Sequence, residues 1–414
     1  MVLNLDAHFP RYEQFDPAVP VWCVTPGKGR TMHRFFDTSP FSPSGRYLGL
    51  TRLTSDTRLP EPGDVAEVVI VDLQTGDESI VAQTRGADTQ LGAQVQWGAD
   101  DTQLFYNDVD TDTWRPFGVV MDARTGESRR IGGVYMVSPD GKHAVSPCLR
   151  RMARTQAGYG VIVPPEHIPE NDGAPEDDGV YVTDTATGEK RLLVSLAQVF
   201  EEAVADEDKD EFAGGNFYTF HVKYTLQRDR IAAVVRWKPE ESAPRMRHAV
   251  ITMKTDGTDL HQAIPFPVWD ARGHHPNWTP DGKRIMMNLT VDDTMRLVSA
   301  NYDGSGLGLM SRVLEGSGHP SLHPDGRHVV TDVYEHGRLA FEDGTAPLRL
   351  LDLHEGTETM LCRIRIRPEW AGPRKELRID PHPAWDRSWR YVAFNACADG
   401  LRGVYVADLE ALLG

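Results

Sequence analysis

The sequence predicts an all-β chain folded as a seven-bladed propeller, with its ring closed by an N-terminal strand. Three observations carry this. A tight turn of the Pro-Asp-Gly type recurs seven times, and each copy opens the same order of strand, second strand ending in Asp, and Thr-Gly or Asp-Gly hairpin. The last copy is one strand short, while an unassigned apolar strand stands near the N-terminus. Repeats of about 40 to 50 residues with four strands each are what propeller blades require.

The elements follow in order. Val21-Trp-Cys-Val-Thr is the N-terminal strand, able to supply the missing edge and remove an open sheet end. The turns are Ser42-Pro-Ser-Gly, Gly98-Ala-Asp-Asp and Ser138-Pro-Asp-Gly, then a weak copy after Phe220-His-Val-Lys-Tyr. Three fuller copies close the series: His275-Pro-Asn-Trp-Thr-Pro-Asp-Gly, His319-Pro-Ser-Leu-His-Pro-Asp-Gly and His382-Pro-Ala-Trp-Asp-Arg. The hairpins include Val68-Val-Ile-Val-Asp-Leu-Gln-Thr-Gly, Val119-Val-Met-Asp-Ala-Arg-Thr-Gly and Tyr181-Val-Thr-Asp-Thr-Ala-Thr-Gly. Two insertions interrupt the pattern, near 150–178 and 193–216, the second with a short helix around Leu196 to Ala205. The expected organisation is a single propeller domain over 1–414.

Composition narrows the function. With 40% hydrophobic residues and nine Trp, the chain can fill a large core, and no run approaches the roughly 18 apolar residues of a membrane span. A net charge of −17 without a long Lys/Arg run argues against nucleic acid as a partner. The acid gathers in Glu166 to Asp178 and Glu201 to Glu211, which read as solvated surface. Four scattered cysteines and a start without a basic or long apolar leader fit a soluble cytoplasmic protein with no membrane partner, and leave the oligomeric state open. GxSxG elbows and Walker loops are absent, which disfavours a serine hydrolase or a nucleotide-binding enzyme.

Histidine sits at one register of the repeat. His221, His275, His319 and His382 open the innermost strand of their units, and Thr38, Gln94 and Val134 hold the same position in the first three. A single His-Pro can cap a turn, whereas four in register point to a metal or proton-transfer site on one face of the ring. Asp380, two residues before His382, adds a carboxylate, and an imidazole–carboxylate set favours Mn²⁺ or Ca²⁺. His274 and His323 are weaker candidates, because neighbours on a strand face opposite ways. Arg236 lies within an apolar β-run and Arg378 shares a face with Asp380. Arg150, Arg151 and Arg154 border the insertion Thr155-Gln-Ala-Gly-Tyr-Gly, whose Tyr159 could cover the cleft. His33-Arg34 precede the first blade, with a solvated loop as the default.

These His-Pro units resemble the oligogalacturonate lyases and the wider group of propeller lyases that act on uronic-acid sugars. In that family a Mn²⁺ ion is held by histidines and a glutamine. The resemblance likens its spaced histidines to His275 and His319, and its later pair to Asp380 and His382. Asp thus replaces one ligand His, and Glu376, Leu377 or Arg378 falls where the glutamine is expected. The resemblance implies β-elimination of uronic-acid oligosaccharides, with His319, Asp380 and His382 as metal ligands and His275 as ligand or acid/base. Arg236 matches the arginine proposed as base, with His221 and His33 as rivals. Arg378, Arg150, Gln94 and Tyr159 would hold the anionic oligosaccharide. A non-catalytic propeller scaffold for a glycan or protein is the alternative, and a metal-dependent hydrolase or isomerase is a third.

Overall fold

A computed structural model describes residues 3–240, 245–366, 371–398 and 400–413. It contains seven four-stranded antiparallel sheets, the blades of a seven-bladed β-propeller. Six blades run in chain order from a first strand to a fourth. The seventh has the order Val21–Cys23, Gly403–Asp408, Tyr391–Ala396, Ala384–Trp385, so the N-terminal strand pairs with the last strand of the chain as expected.

Local chemistry explains the repeat. In Ser138-Pro-Asp-Gly the Asp140 carboxylate accepts from Ser138 Oγ at 2.6 Å, Gly141 N donates to Ser138 O at 2.8 Å, and Gly141 takes φ +70°. Thr279-Pro-Asp-Gly repeats these contacts at 2.6 and 2.8 Å. In blades 2 and 3 the Asp that ends the third strand folds the next hairpin: Asp122 Oδ1 accepts from Arg124 N at 2.8 Å and Thr125 N at 3.0 Å, and Asp184 Oδ1 does the same for Ala186 and Thr187. Asx turns of this kind free the chain from the ladder at a fixed residue, which sets strand length.

Two compact units emerge. One comprises 1–130, 157–163 and 317–414, and carries blades 1, 2, 6 and 7; the other comprises 131–156 and 164–316, and carries blades 3 to 5. In the first, Val21, Leu348, Leu361 and Phe394 belong to one apolar cluster, Leu48, Leu50, Val69 and Val406 to a second, and Val68, Val95, Leu104 and Val119 to a third. Fully burying such a side chain contributes roughly 1.5–3 kcal/mol. In the second unit the strand Arg230–Pro239 is buried at nine of its ten positions, and Phe212 packs against Phe217, Trp237 and Phe266.

Both insertions are ordered. The second holds the helix Leu196–Ala203, capped by Ser195 Oγ, which accepts from Gln198 N at 3.0 Å. In the first, the acidic stretch is not wholly solvated: Asp178 is buried and accepts from Asn171 Nδ2 at 2.9 Å. Among the described residues no helix is long and apolar enough to cross a membrane.

Candidate metal centre

In the first unit His319, Asp380 and His382 come together, with one ligating atom from each lying within 4.8 Å of the others. All three are buried. The rings of His319 and His382 are perpendicular with centroids 4.3 Å apart, and His382 Nε2 lies 3.8 Å from Asp380 Oδ2.

The backbone that delivers them is irregular. His319 and His382 each stand two residues ahead of a two-residue strand, Ser321–Leu322 and Ala384–Trp385, rather than opening it. Asp380 likewise lies outside any strand, contrary to expectation, yet still faces His382. His382 has φ +51°, and Gly318 before His319 has φ +40°. The same register is left-handed at Gln94 and His275, both φ +60°. Such a conformation at a residue with a Cβ costs on the order of 1 kcal/mol or more, and persists only where surrounding contacts impose it.

Those contacts come from the next strand. Asp332 Oδ1 accepts from His319 N at 2.6 Å, its carboxylate takes His319 Nδ1 at 2.9 Å, and its Oδ2 accepts from His382 N at 3.1 Å. Asn395 Oδ1 accepts from His33 N at 3.0 Å, while its Nδ2 donates to Asp380 O at 3.3 Å. Sequence reasoning passed over both. The available signal was spacing: Asp332 follows His319 by 13 residues (332 − 319) and Asn395 follows His382 by 13 (395 − 382), each a polar residue in an otherwise apolar run.

Burial pushes the Asp332 carboxyl up, but His319 and the backbone donors outweigh it and hold it below the usual carboxylate range. Bonded to that carboxylate, His319 Nδ1 carries the proton and Nε2 the lone pair, the arrangement a metal-ligating imidazole needs. Two imidazoles and one carboxylate, so anchored, fit a borderline-hard divalent ion such as Mn²⁺.

The surroundings are aromatic and cationic. Phe35 lies 4.6 Å from His382 and 5.4 Å from His319, and Tyr334 lies 5.5 Å from His319. Arg378 Nε donates to Asp380 Oδ2 at 2.7 Å and its Nη2 to Tyr159 OH at 3.2 Å. Burial opposes the Arg378 charge, but Asp380 and the two tyrosines keep it protonated above its ordinary range. Tyr159 therefore reaches the centre through Arg378. Its segment is tied down by Gly160 N, which donates to Asp88 Oδ2 at 2.9 Å.

His33 and Arg34 are not solvated. They follow the first strand of blade 1, Thr31–Met32, and are almost fully buried. His33 Nε2 lies 3.3 Å from Pro381 O, and burial pushes its pKa down to about 4. Arg34 Nε donates to Gln94 Oε1 at 2.6 Å, so Gln94 is engaged by the protein itself.

The second unit holds the remaining candidates. The Arg236 guanidinium stacks 3.4 Å over the Phe220 ring and donates to Thr155 Oγ1 at 3.2 Å and Gln156 Oε1 at 2.7 Å. His221 Nδ1 is hydrogen-bonded to Tyr135 OH. Arg150 Nη1 donates to His167 O at 2.8 Å. His275 Nδ1 meets His274 Nδ1 at 3.1 Å. The expectation that His274 faces away thus fails, because the ladder shifts register between His274 and Asn277 and alternation is lost there.

No family model matches the chain, and no curated protein does. Solved structures do. An oligogalacturonate lyase in complex with manganese is 16% identical with a TM-score of 0.65, over 98% of this chain and 97% of that one. An oligogalacturonate lyase from Vibrio parahaemolyticus is 16% identical with a TM-score of 0.65, over 99% and 98%. The β-propeller domain of the Trilobed protease from Pyrococcus furiosus is 13% identical with a TM-score of 0.51, over 91% and 97%. At these identities the likeness establishes the propeller fold, including its similarity to the oligogalacturonate lyases along the whole chain.

Proposed function

We propose that this propeller is a metal-dependent lyase that cleaves uronic-acid oligosaccharides by β-elimination. The observation that carries the reading is the buried His319–Asp380–His382 set, held by Asp332, in a fold shared with an oligogalacturonate lyase in complex with manganese.

The reaction needs the C5 proton of a uronate removed while negative charge builds on its carboxylate. When bound, a divalent cation supplies the positive charge that stabilises that carboxylate, an effect worth several kcal/mol. His319, Asp380 and His382 would hold the ion, and Asp332 and Asn395 keep their geometry. Arg378, a permanent cation beside Asp380, offers a planar fork to a substrate carboxylate. Tyr159 orients that guanidinium from its far side.

Of the proton acceptors, Arg236 is the weakest on chemical grounds: its guanidinium is occupied by Thr155, Gln156 and Phe220, and a guanidinium does not give up its proton readily enough to act as a base. His33, buried and bonded to Pro381 O, positions the ligand segment instead. An imidazole, whose ordinary pKa is near 6.5, suits that task better than a guanidinium.

The test is incubation of the Mn²⁺-loaded protein with a panel of uronic-acid oligosaccharides, following the ultraviolet absorbance of a conjugated unsaturated uronate. A rise that is lost on chelation and in His319→Ala supports the reading. No rise with any member of the panel refutes it and leaves a glycan- or protein-binding scaffold.

A further inference from the structure

The turn 88–92, closed by Asp88 N donating to Gly92 O at 3.0 Å, carries three buried polar side chains that are not metal ligands, Asp88, Thr89 and Gln90. Two of them hold the segment that leads into Arg378: Thr89 Oγ1 and Gln90 Nε2 both donate to Glu376 O, the latter at 2.8 Å. Arg402, also buried, donates from Nη2 to Leu377 O at 2.7 Å. Asp88 holds a different segment. Its Oδ2 accepts from Gly160 N, next to Tyr159, at 2.9 Å, while its Oδ1 accepts from Gln90 N at 2.9 Å and Leu91 N at 2.5 Å. The two held segments are in close contact, since a Cβ on Gly158 would stand 3.2 Å from Glu376 O. All of these residues belong to the first unit.

Between the held segments lies the Arg378 guanidinium. Its three nitrogens donate to Asp380 Oδ2 at 2.7 Å, Lys375 O at 3.0 Å and Tyr159 OH at 3.2 Å. A guanidinium has five N–H donors, so each terminal nitrogen keeps one for a carboxylate. We propose that the turn 88–92 is a pH-operated clamp that positions Arg378 for the substrate carboxylate, Thr89 and Gln90 gripping the arginine's own segment and Asp88 gripping that of Tyr159. This rests on the lyase reading above, in which Arg378 takes a uronate.

The ionisation of Asp88 decides whether the clamp is closed. Burial pushes its carboxyl up to about 7, against the Leu91, Gly160 and Gln90 amides and the nearby Arg34. The other charged groups around it are Glu61, Asp64 and Arg85, which line a small cavity with it, and Glu376, whose carboxylate takes Arg374 Nε at 2.9 Å. Segment 157–163 brings only Tyr159. Above about pH 7 the carboxylate accepts all three amides. Below it a proton is added, and it goes to Oδ2, which takes one amide, rather than to Oδ1, which takes two. A protonated oxygen is the poorer acceptor, so Gly160 N is released while the turn keeps its own bonds. Tyr159 then loses its anchor, and Arg378 one of its three partners.

The experiment uses the full chain loaded with Mn²⁺. Amide hydrogen exchange of segment 157–163, corrected for the intrinsic effect of pH, reads the clamp, and the unsaturated-uronate absorbance reads kcat and KM. In the parent the segment should be protected above about pH 7 and exchange freely below it, with KM rising about fivefold, the worth of one hydrogen bond, and kcat changing less. Asp88→Asn turns an NH₂ toward Gly160 N and should leave the segment unprotected and KM high at every pH. Tyr159→Phe, a milder change that keeps the test open should Asp88→Asn not fold, should keep the titrating protection and lose the pH dependence of KM. Protection that ignores pH in the parent, or that survives in Asp88→Asn, overturns the clamp whether or not the protein is a lyase. A titrating clamp with the same KM profile in parent and Tyr159→Phe overturns its link to Arg378. A titrating clamp without unsaturated product from any substrate overturns the substrate role together with the lyase reading.

Discussion

Replacing Asp332 by Asn tests the centre at the residue on which its geometry depends. The parent carboxylate satisfies His319 N, His319 Nδ1 and His382 N within a site that is 1% exposed. An amide of the same shape keeps one oxygen and turns an NH₂ toward a donor. One buried N–H is then left without an acceptor, at about 1–3 kcal/mol, and the remaining bonds lose their charge assistance, so the fold should be destabilised by about 3 kcal/mol. The imidazole also loses the partner that fixes its Nδ1 proton. Outer-shell changes of this type lower metal affinity 10–100-fold, equivalent to about 1.4–2.7 kcal/mol. Titration calorimetry with Mn²⁺ on parent and variant, with circular dichroism to confirm folding, reads both effects. A folded Asp332→Asn protein that binds Mn²⁺ as tightly as the parent would refute the claim that Asp332 organises a metal site.

Three further outcomes follow from named contacts. Arg378→Gln removes a guanidinium that competes for Asp380; Mn²⁺ affinity should rise by on the order of tenfold, about one charge-assisted hydrogen bond, while KM for an anionic substrate rises. His33 is held neutral, with its pKa lowered from 6.5 to about 4 by burial. The unfolded chain therefore binds the extra proton between those values, and stability present above about pH 6.5 should be lost as pH falls toward about 4, by about 3 kcal/mol; His33→Gln should flatten that part of the stability profile in denaturant titrations. Asp88→Asn weakens the buried carboxylate that takes Gly160 N, Gln90 N and Leu91 N, so limited proteolysis should cut the Tyr159 segment faster than in the parent.

The fold was legible because its signals are local. Pro-Asp-Gly turns, Asp-terminated strands and Thr-Gly hairpins each fix a few residues by their own hydrogen bonds, and the unpaired Val21–Cys23 strand had one sheet to complete. The grouping of His319, Asp380 and His382 was legible for a related reason: the two histidines hold the same register of the repeat and Asp380 stands two residues before one of them. What strand periodicity misjudged was orientation. His274 was set aside on alternation that the bulge abolishes, and His33 was assigned to a solvated loop although it lies within blade 1 and touches Pro381. Neither error could be corrected from spacing alone, since a bulge and a buried loop both depend on contacts with distant residues.

The partners were present in the sequence as a second register. Thirteen residues beyond the ligand position stand Thr51 (51 − 38), Asn107 (107 − 94), Asn288, Asp332 and Asn395, each polar inside an apolar β-run. The spacing is the length of a hairpin: the chain leaves the first position, crosses the tight turn, and returns antiparallel on the neighbouring strand beside its start. Thr51 Oγ1 accepts from Ala93 N at 2.9 Å, and Asp332 accepts from both the main chain and the imidazole of His319. In blade 6 one hairpin thus carries a side chain and its holder, His319 and Asp332, and the left-handed residues at Gln94, His275 and His382 mark three places where the same register leaves ideal strand geometry.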